Sequence, residues 1–235
     1  MIKKIIIFLL LIIILLCGLI FTDAYFTYKD AITNSPLSEK IISIKNKENY
    51  TSISDVPDYY KKAIIAIEDH RFYEHHGLDF FSIIRAVVID IQEKSIEQGG
   101  SSITQQVAKN LYFNNEKKLT RKISELLVAI DLEKNYSKDE ILELYINNIY
   151  FGDGYYCIYD ASKNYYNKEP SELTLYEATY LAGVPNAPSI YAPTKNLKYG
   201  TNKQKQVLDC MLKYNFISQD EYDEVIDQIE EIELE

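Results

Sequence analysis

The sequence predicts a mainly α-helical domain behind a single N-terminal transmembrane helix. Three observations lead there. An uninterrupted apolar run opens the chain, Ser/Thr-x-x-Glu boxes recur at intervals along the rest, and alternating strand-like runs are few and short. At 235 residues, 47% of them hydrophobic, the chain is long enough for one domain with a sizeable core.

The elements follow in order. Met1 to Lys4 is short and basic, and Ile5 to Thr22 carries no charge. As a helix that run is roughly 27 Å long, close to the hydrocarbon core of a bilayer. No good small-x-small cleavage site follows it, so it reads as an uncleaved signal anchor over 5–22 rather than a removed leader. The lysines before it place residues 1–4 on the cytoplasmic side and the rest outside the cell membrane. Residues 23–55 read as a polar stalk with some extended structure, and 56–235 as the functional domain with an acidic tail.

Helix signals dominate that domain. Asp55 and Pro57 can start a helix with Tyr59, Ala63, Ile64 and Ile67 on its apolar side. Ile103, Val107 and Leu111 share one face of another, while Gln105 pairs with Lys109 and Gln106 with Asn110 on polar faces. Thr120 can cap a helix carrying Ile123, Leu126, Leu127 and Ile130. Ser137 to Glu140, Thr174 to Glu177 and Ser218 to Glu221 are capping boxes. Asp79 to Ile89 is apolar nearly all round, which favours partial insertion in a membrane over a core helix.

Charge excludes one class of partner. The net charge is −10, yet nine acidic residues and no Lys or Arg lie between Asn215 and Glu235. The remainder balances, 25 basic against 26 acidic (35 less 9), so no basic patch supports nucleic-acid binding. The tail reads as a solvated helix face. With Cys17 in the apolar run, Cys157 and Cys210 are read as free rather than as a disulfide.

Several segments could carry chemistry. In Ile67 to Gly77, an apolar helix end leads into Glu68 and Asp69, where partial desolvation would suit a carboxylate to accept a proton; the plainer reading is a capping acid beside Arg71. His70, His75 and His76 also fall here, without the His-Glu-x-x-His or Cys-x-x-Cys spacing of a zinc site, so no metal site is predicted. Gly99 to Asn110 places a glycine pair, hydroxyls, amides and Lys109 at a helix start, a ready anion site. Arg121 and Glu125 are spaced for an ordinary i,i+4 ion pair, with Glu125 a second acid of interest, while Lys117, Lys118, Arg121 and Lys122 are either a solvated face or a diphosphate clamp. Gly99 to Ser102 lacks the Gly-Lys-Ser/Thr ending of a P-loop, and Cys157 stands where a dinucleotide fingerprint needs its third glycine, so a soluble nucleotide-sugar donor is not favoured.

Together these segments resemble glycosyltransferase family 51, the transglycosylase module of class A penicillin-binding proteins and of monofunctional peptidoglycan glycosyltransferases. Glu68-Asp69-His70-Arg71-Phe72 with His75 and Gly77 matches the first motif, Gly99 to Gln106 the second with Ser102 for threonine, and Arg121-Lys122-Ile123-Ser124-Glu125 the third. Lys138 to Asn147 resembles the fourth, and Asn186-Ala187-Pro188 with Tyr191-Ala192-Pro193 the closing loop. The resemblance covers about Val56 to Tyr222.

It implies a lysozyme-like, two-lobed fold of head and jaw, with residues 79–89 as the jaw helix. It implies polymerisation of lipid II into β-1,4-linked glycan strands, with inversion and release of undecaprenyl diphosphate. Glu68 would be the general base. Lys109, Lys117 and Arg121 would neutralise the diphosphate. Glu125 would hold the donor-side residues, aid departure or position an ion. Ser101, Gln105, Gln106, Asn110 and Lys134 would line the donor cleft. No cofactor is required, with room for a divalent cation, magnesium or manganese, at the diphosphate. The expected partners are lipid II, the growing lipid-linked glycan, the membrane and a separate transpeptidase or division proteins. The chain ends soon after Ser218 and lacks Ser-x-x-Lys and Lys-Thr-Gly, so no transpeptidase domain is expected. Two departures stand out: Lys117 for arginine, which loses the bidentate fork, and Cys157 for glycine, which would be strained at a positive φ. A lysozyme-like hydrolase using the two carboxylates and a membrane-anchored scaffold are the competing readings.

Overall fold

A computed structural model of the protein describes residues 2–77, 101–114 and 118–234. Within them the secondary structure is helical, with an isolated bridge between Gly152 and Tyr155, as the sequence predicts. The expected jaw helix over 79–89 lies outside the described residues, as do Gly99, Gly100 and Lys117.

Helix α1 (Ile2–Asn34) does not stop where the apolar run ends. Its first part exposes its apolar side chains, including Ile5, Phe8 and Leu15, and is long and apolar enough to cross a membrane. Its last part buries Ala24 and Tyr28. Most of 23–55, expected as a polar stalk with some extended structure, is therefore helical and packs on the domain. Ala24, Tyr28 and Ile32 recur at i, i+4 and i+8, so one face of the helix packs on the domain. Pro36 separates α1 from α2 (Leu37–Lys45), which buries Ile41 and Ile44.

Helix α3 (Asp58–Glu68), entered at Pro57, buries Tyr60, Ala63, Ile64, Ile65 and Ala66, a wider surface than the predicted stripe. It lies against both α8 (Leu175–Gly183) and α10 (Leu197–Lys213), which cover two of its sides. Helix α4 (Ile103–Tyr112) buries Ile103, Val107 and Leu111 as expected, between α5 (Leu119–Asn135) and α6 (Lys138–Ile146).

Helix α5 departs from its prediction. Lys118, not Thr120, stands at its N-cap, and the cap is not made by a side-chain hydrogen bond to the helix amides. Its buried face is Ser124, Glu125, Val128, Ala129 and Leu132, while Ile123, Leu126, Leu127 and Ile130 are half-buried. The reason is that α1 and α4 both pack on α5. The small Ser124 admits α1 closely enough to donate to the Ala24 carbonyl at 2.8 Å.

The three capping boxes form. Ser137 and Thr174 each accept from the amide three residues on and are answered by Glu140 and Glu177. Ser218 and Glu221 do the same at α11 (Gln219–Leu234). That helix buries Val225 and Ile229 and exposes its carboxylates from Asp220 to Glu231, the solvated acidic face that was predicted. Helices α7 (Ile158–Tyr166) and α9 (Pro188–Tyr191) complete the fold.

Candidate active site

The first and second motifs meet at one junction. Helix α3 ends at Glu68, and Asp69 leaves it with φ −162° and turns inward. Both Asp69 oxygens lie 2.9 Å from His75 Nε2, and Oδ2 accepts the Ile103 amide at 3.1 Å. Ser102 caps α4 by accepting the Gln105 amide at 3.2 Å, and its hydroxyl donates to the Gly77 carbonyl at 2.9 Å. Gly77 has φ +78°, which favours glycine, and a Cβ there would lie 3.2 Å from Glu133 Cγ. The start of α4 is therefore not the free anion site expected from its sequence. Two of its leading amides are already bound by Asp69 and Ser102.

Glu68 instead faces a cleft of about 200 Å³, lined also by Ser101, Gln105, Gln106, Lys109, Lys122, Glu125, Pro185 and Asn186. Part of its surface is open to the cleft, but protein encloses the carboxyl closely enough that burial raises its pKa above the ordinary value. Gln106 Nε2 donates to its Oε2 at 2.6 Å, and this bond, Lys203 and Lys109 pull the other way. Tyr145, fully buried on α6, also lies within its field.

Across the cleft, the Glu125 side chain is 1% exposed and holds two cations. Arg121 pairs with its Oε1, and Lys122 Nζ lies 3.2 Å from Oε2. Lys122 also donates to Ser101 Oγ at 2.6 Å. Burial lowers the pKa of Lys122, and Arg121 and Lys109 lower it further; burial and Arg121 do the same to Lys109. Three cations thus repel one another at one wall, which an anion would relieve.

The family model for transglycosylases matches residues 35–212. This chain belongs to the transglycosylase family. A monofunctional glycosyltransferase of Staphylococcus epidermidis is 41% identical over 194 residues, 80% of this chain and 72% of that protein. Penicillin-binding protein 1A of Neisseria lactamica is 44% identical over 191 residues, 80% of this chain but 24% of that protein. The chain thus spans about a quarter of that relative's length. A crystal structure of penicillin-binding protein 1A from Haemophilus influenzae aligns with a TM-score of 0.45 and 25% identity, over 75% of this chain and 17% of that one. Membership makes the chain a glycosyltransferase, as the motifs implied.

Of the residues singled out in sequence, Glu68, Ser101, Gln105, Gln106, Lys109 and Glu125 line this cleft, with Arg121 on Glu125. Gln105 is 5% exposed and spends its amide on the Gly77 carbonyl at 3.3 Å, which shapes the wall. Asn110 is outside the lining and donates to the Asn148 carbonyl at 3.1 Å, tying α4 to the segment after α6. Lys134 is exposed on α5, nine positions beyond Glu125, or roughly 13 Å along the helix, and does not join the lining residues. Lys117 lies outside the described residues.

Lys122 in the cleft lining, and Lys203 outside it but within the field of Glu68, are residues the sequence did not single out for this site. Lys122 was legible only as one of a basic run. Lys203 sits in a polar stretch of α10 with no motif of its own. A clue to it is Gly183: a Cβ there would stand 2.9 Å from Lys203 Cγ, so a bare backbone makes room for the lysine stem.

Cys157 is not strained, because its φ is −153°. It caps α7, accepting the Asp160 amide at 3.5 Å, and burial pushes its thiol up to about 11. It and Cys210 are both free. His70 stacks on Tyr214 with centroids 4.4 Å apart. Among the described residues no group of three or more His, Cys, Asp and Glu side chains could hold a metal ion.

Proposed function

We propose that the chain polymerises lipid II into β-1,4-linked peptidoglycan strands at the outer face of the cell membrane, releasing undecaprenyl diphosphate. The observation that supports it most is the pairing of one enclosed carboxylate, Glu68, with a wall of three mutually repelling cations across a single cleft. Glu68 takes the proton from the 4-hydroxyl of the acceptor sugar. That oxygen attacks the anomeric carbon of the donor from the face opposite the diphosphate, so the new linkage is inverted. As the carbon–oxygen bond to the diphosphate breaks, charge accumulates on the leaving oxygen, and Lys109, Arg121 and Lys122 are placed to neutralise it. Glu125 orients Arg121 and Lys122 rather than meeting the sugar, since its oxygens already face them.

The apolar helix α1 fits a single-pass anchor that keeps the domain beside its lipid-linked substrate. These steps need no cofactor; a magnesium or manganese ion on the diphosphate would compete with Arg121 and Lys122 for Glu125. A separate transpeptidase acting on the finished strands is the natural partner.

The test is lipid II polymerisation by the detergent-solubilised full-length protein, with products resolved by length and digested with muramidase. Glu68→Gln should lose about 10²–10⁴-fold in rate. Glu125→Gln should fold and lose rate through disordered cations. Chelator should leave the wild-type rate unchanged. Strands made at the wild-type rate by Glu68→Gln would overturn the assignment of the base. Digestion of preformed glycan without polymerisation would favour a hydrolase.

A further inference from the structure

The segment between α6 and α7 carries a feature that the cleft chemistry does not use. Tyr150 and Tyr156 lean together with ring centroids 4.7 Å apart and planes 34° apart, yet are 39% and 58% exposed. Burying such rings is worth more than leaving them in water, so an open pair on a well-braced turn calls for an occupant.

The turn is braced mainly by its own backbone and by Asp153, with the Tyr150 hydroxyl accepting the Gly154 amide at 3.4 Å. Gly152, Asp153 and Gly154 all have positive φ, at 91°, 52° and 90°. The Phe151 amide donates to the Tyr155 carbonyl, and the Tyr155 amide to the Gly152 carbonyl, each at 2.8 Å. Asp153 is held by Lys195 at 2.6 Å, Tyr165 at 3.2 Å and Thr194. Three successive left-handed residues and a clamped carboxylate fix the backbone, so the rings are presented on a rigid mount.

The mount stands beside the cleft on two sides. On one, the Asn148 carbonyl is held by Asn110, the neighbour of the cleft residue Lys109. On the other, Gly152 packs so closely on α9 that a Cβ would lie 3.2 Å from the Pro188 carbonyl and 3.0 Å from Ala192 Cβ. Pro188 is two residues past the cleft residue Asn186, so each connection is at most about 10 Å of chain.

We propose that Tyr150 and Tyr156 form a stacking subsite for a β-1,4-linked N-acetylhexosamine strand where it meets the cleft. The proposal rests on the glycosyl-transfer reading above, which supplies such a strand. A β-linked pyranose has its hydroxyls equatorial and its axial C–H bonds on the ring faces. Those faces are apolar and electropositive, and they suit the electron-rich face of a tyrosine. The tyrosine hydroxyls leave the rim polar, as a sugar requires. The competing occupant, the membrane surface, is disfavoured by position. Tyr112, at the end of the helix that carries Asn110, donates to the Ser35 carbonyl, beyond the end of α1 and roughly 18 Å along its axis from the apolar run.

The test uses the full-length protein in detergent, titrated calorimetrically with chitotetraose, the β-1,4-linked tetramer of N-acetylglucosamine. Saturable binding is expected for wild type and for Glu68→Gln. The double variant Tyr150→Ala/Tyr156→Ala should weaken it by about tenfold or more, and Tyr150→Phe/Tyr156→Phe should retain it. Circular dichroism and thermal unfolding would show that the variants fold. Absence of wild-type binding, or equal binding by the alanine variant, overturns the proposal. Unchanged chitotetraose binding with activity lost only in phosphatidylglycerol vesicles also overturns it, assigning the rings to the membrane. The two readings separate. A wild type that makes no strands from lipid II but binds the tetramer through both rings sinks the polymerase and keeps the subsite. One that makes strands with indifferent rings does the reverse.

Discussion

A carboxyl that must accept a proton works only while ionised, and at Glu68 the neighbours set how far pH can fall before that is lost. Burial raises its pKa, while Gln106, Lys203 and Lys109 restrain the rise. The sign follows from the base role. The ionised form is active, so kcat/KM falls as pH drops through the raised pKa, and the acid limb lies above the ordinary value of 4.5. Lys203 favours the ionised form. Lys203→Ala should therefore move the acid limb to higher pH with the plateau little changed, and Lys203→Arg should move it back. Lipid II turnover from about pH 5 to 8 measures this, and an unmoved limb in Lys203→Ala would show that the lysine does not act on Glu68. This residue was not legible in the sequence, because nothing local marks a lysine whose partner is in another helix. Glu68 was, because an apolar helix end running into a carboxylate is a local pattern.

At the scale of elements, the junction of α3 and α4 shows how a motif can be structural and functional at once. Asp69 ends one helix and caps the next, so Glu68 on α3 and Gln106 on α4 arrive in register. Ser102→Ala should cost about 1 kcal/mol, the usual worth of an N-cap. Asp69→Ala should cost more, about 2–4 kcal/mol, because it removes the carboxylate's hydrogen bonds to both the Ile103 amide and the buried His75 ring. Denaturant unfolding compares the two, and equal losses would mean that the pairing with His75 contributes nothing. Asp69→Ala should also lower activity by misplacing Gln106. The capping boxes at Ser137, Thr174 and Ser218 were read correctly because a box is complete within four residues. The buried face of α5 was misread because Ser124 and Glu125, the polar members of that face, are paid for by partners far off in sequence: the Ala24 carbonyl for one and nearby cations for the other.

For the whole molecule, the consequential element is α1. Its contacts with α5 advance together along both chains, Ala24 with Ser124 and Tyr28 with Asp131. The two helices therefore run parallel. The first turns of α5, with Arg121 and Lys122, lie at the level where the apolar run of α1 ends. Under the proposed function that run lies in the bilayer, which would put the cations of the cleft at the height of the lipid diphosphate, and the continuous helix would fix that height. The stalk reading failed for this reason: polarity after Thr22 hid a spacing of four that docks the helix. A Gly-Gly-Ser insertion between Thr22 and Asp23 leaves the Ala24–Ser124 and Tyr28–Asp131 bonds between α1 and α5 in place but uncouples the docked part of α1 from its apolar run. Thermal unfolding of the domain should then be unchanged within about 0.5 kcal/mol, as for a surface change, while lipid II polymerisation in vesicles falls severalfold. In detergent, where no fixed membrane plane exists, the insertion variant should recover. Equal rates for wild type and variant in vesicles would mean that a loose tether serves as well, and that the packing of α1 on α5 contributes stability without setting the height of the cleft.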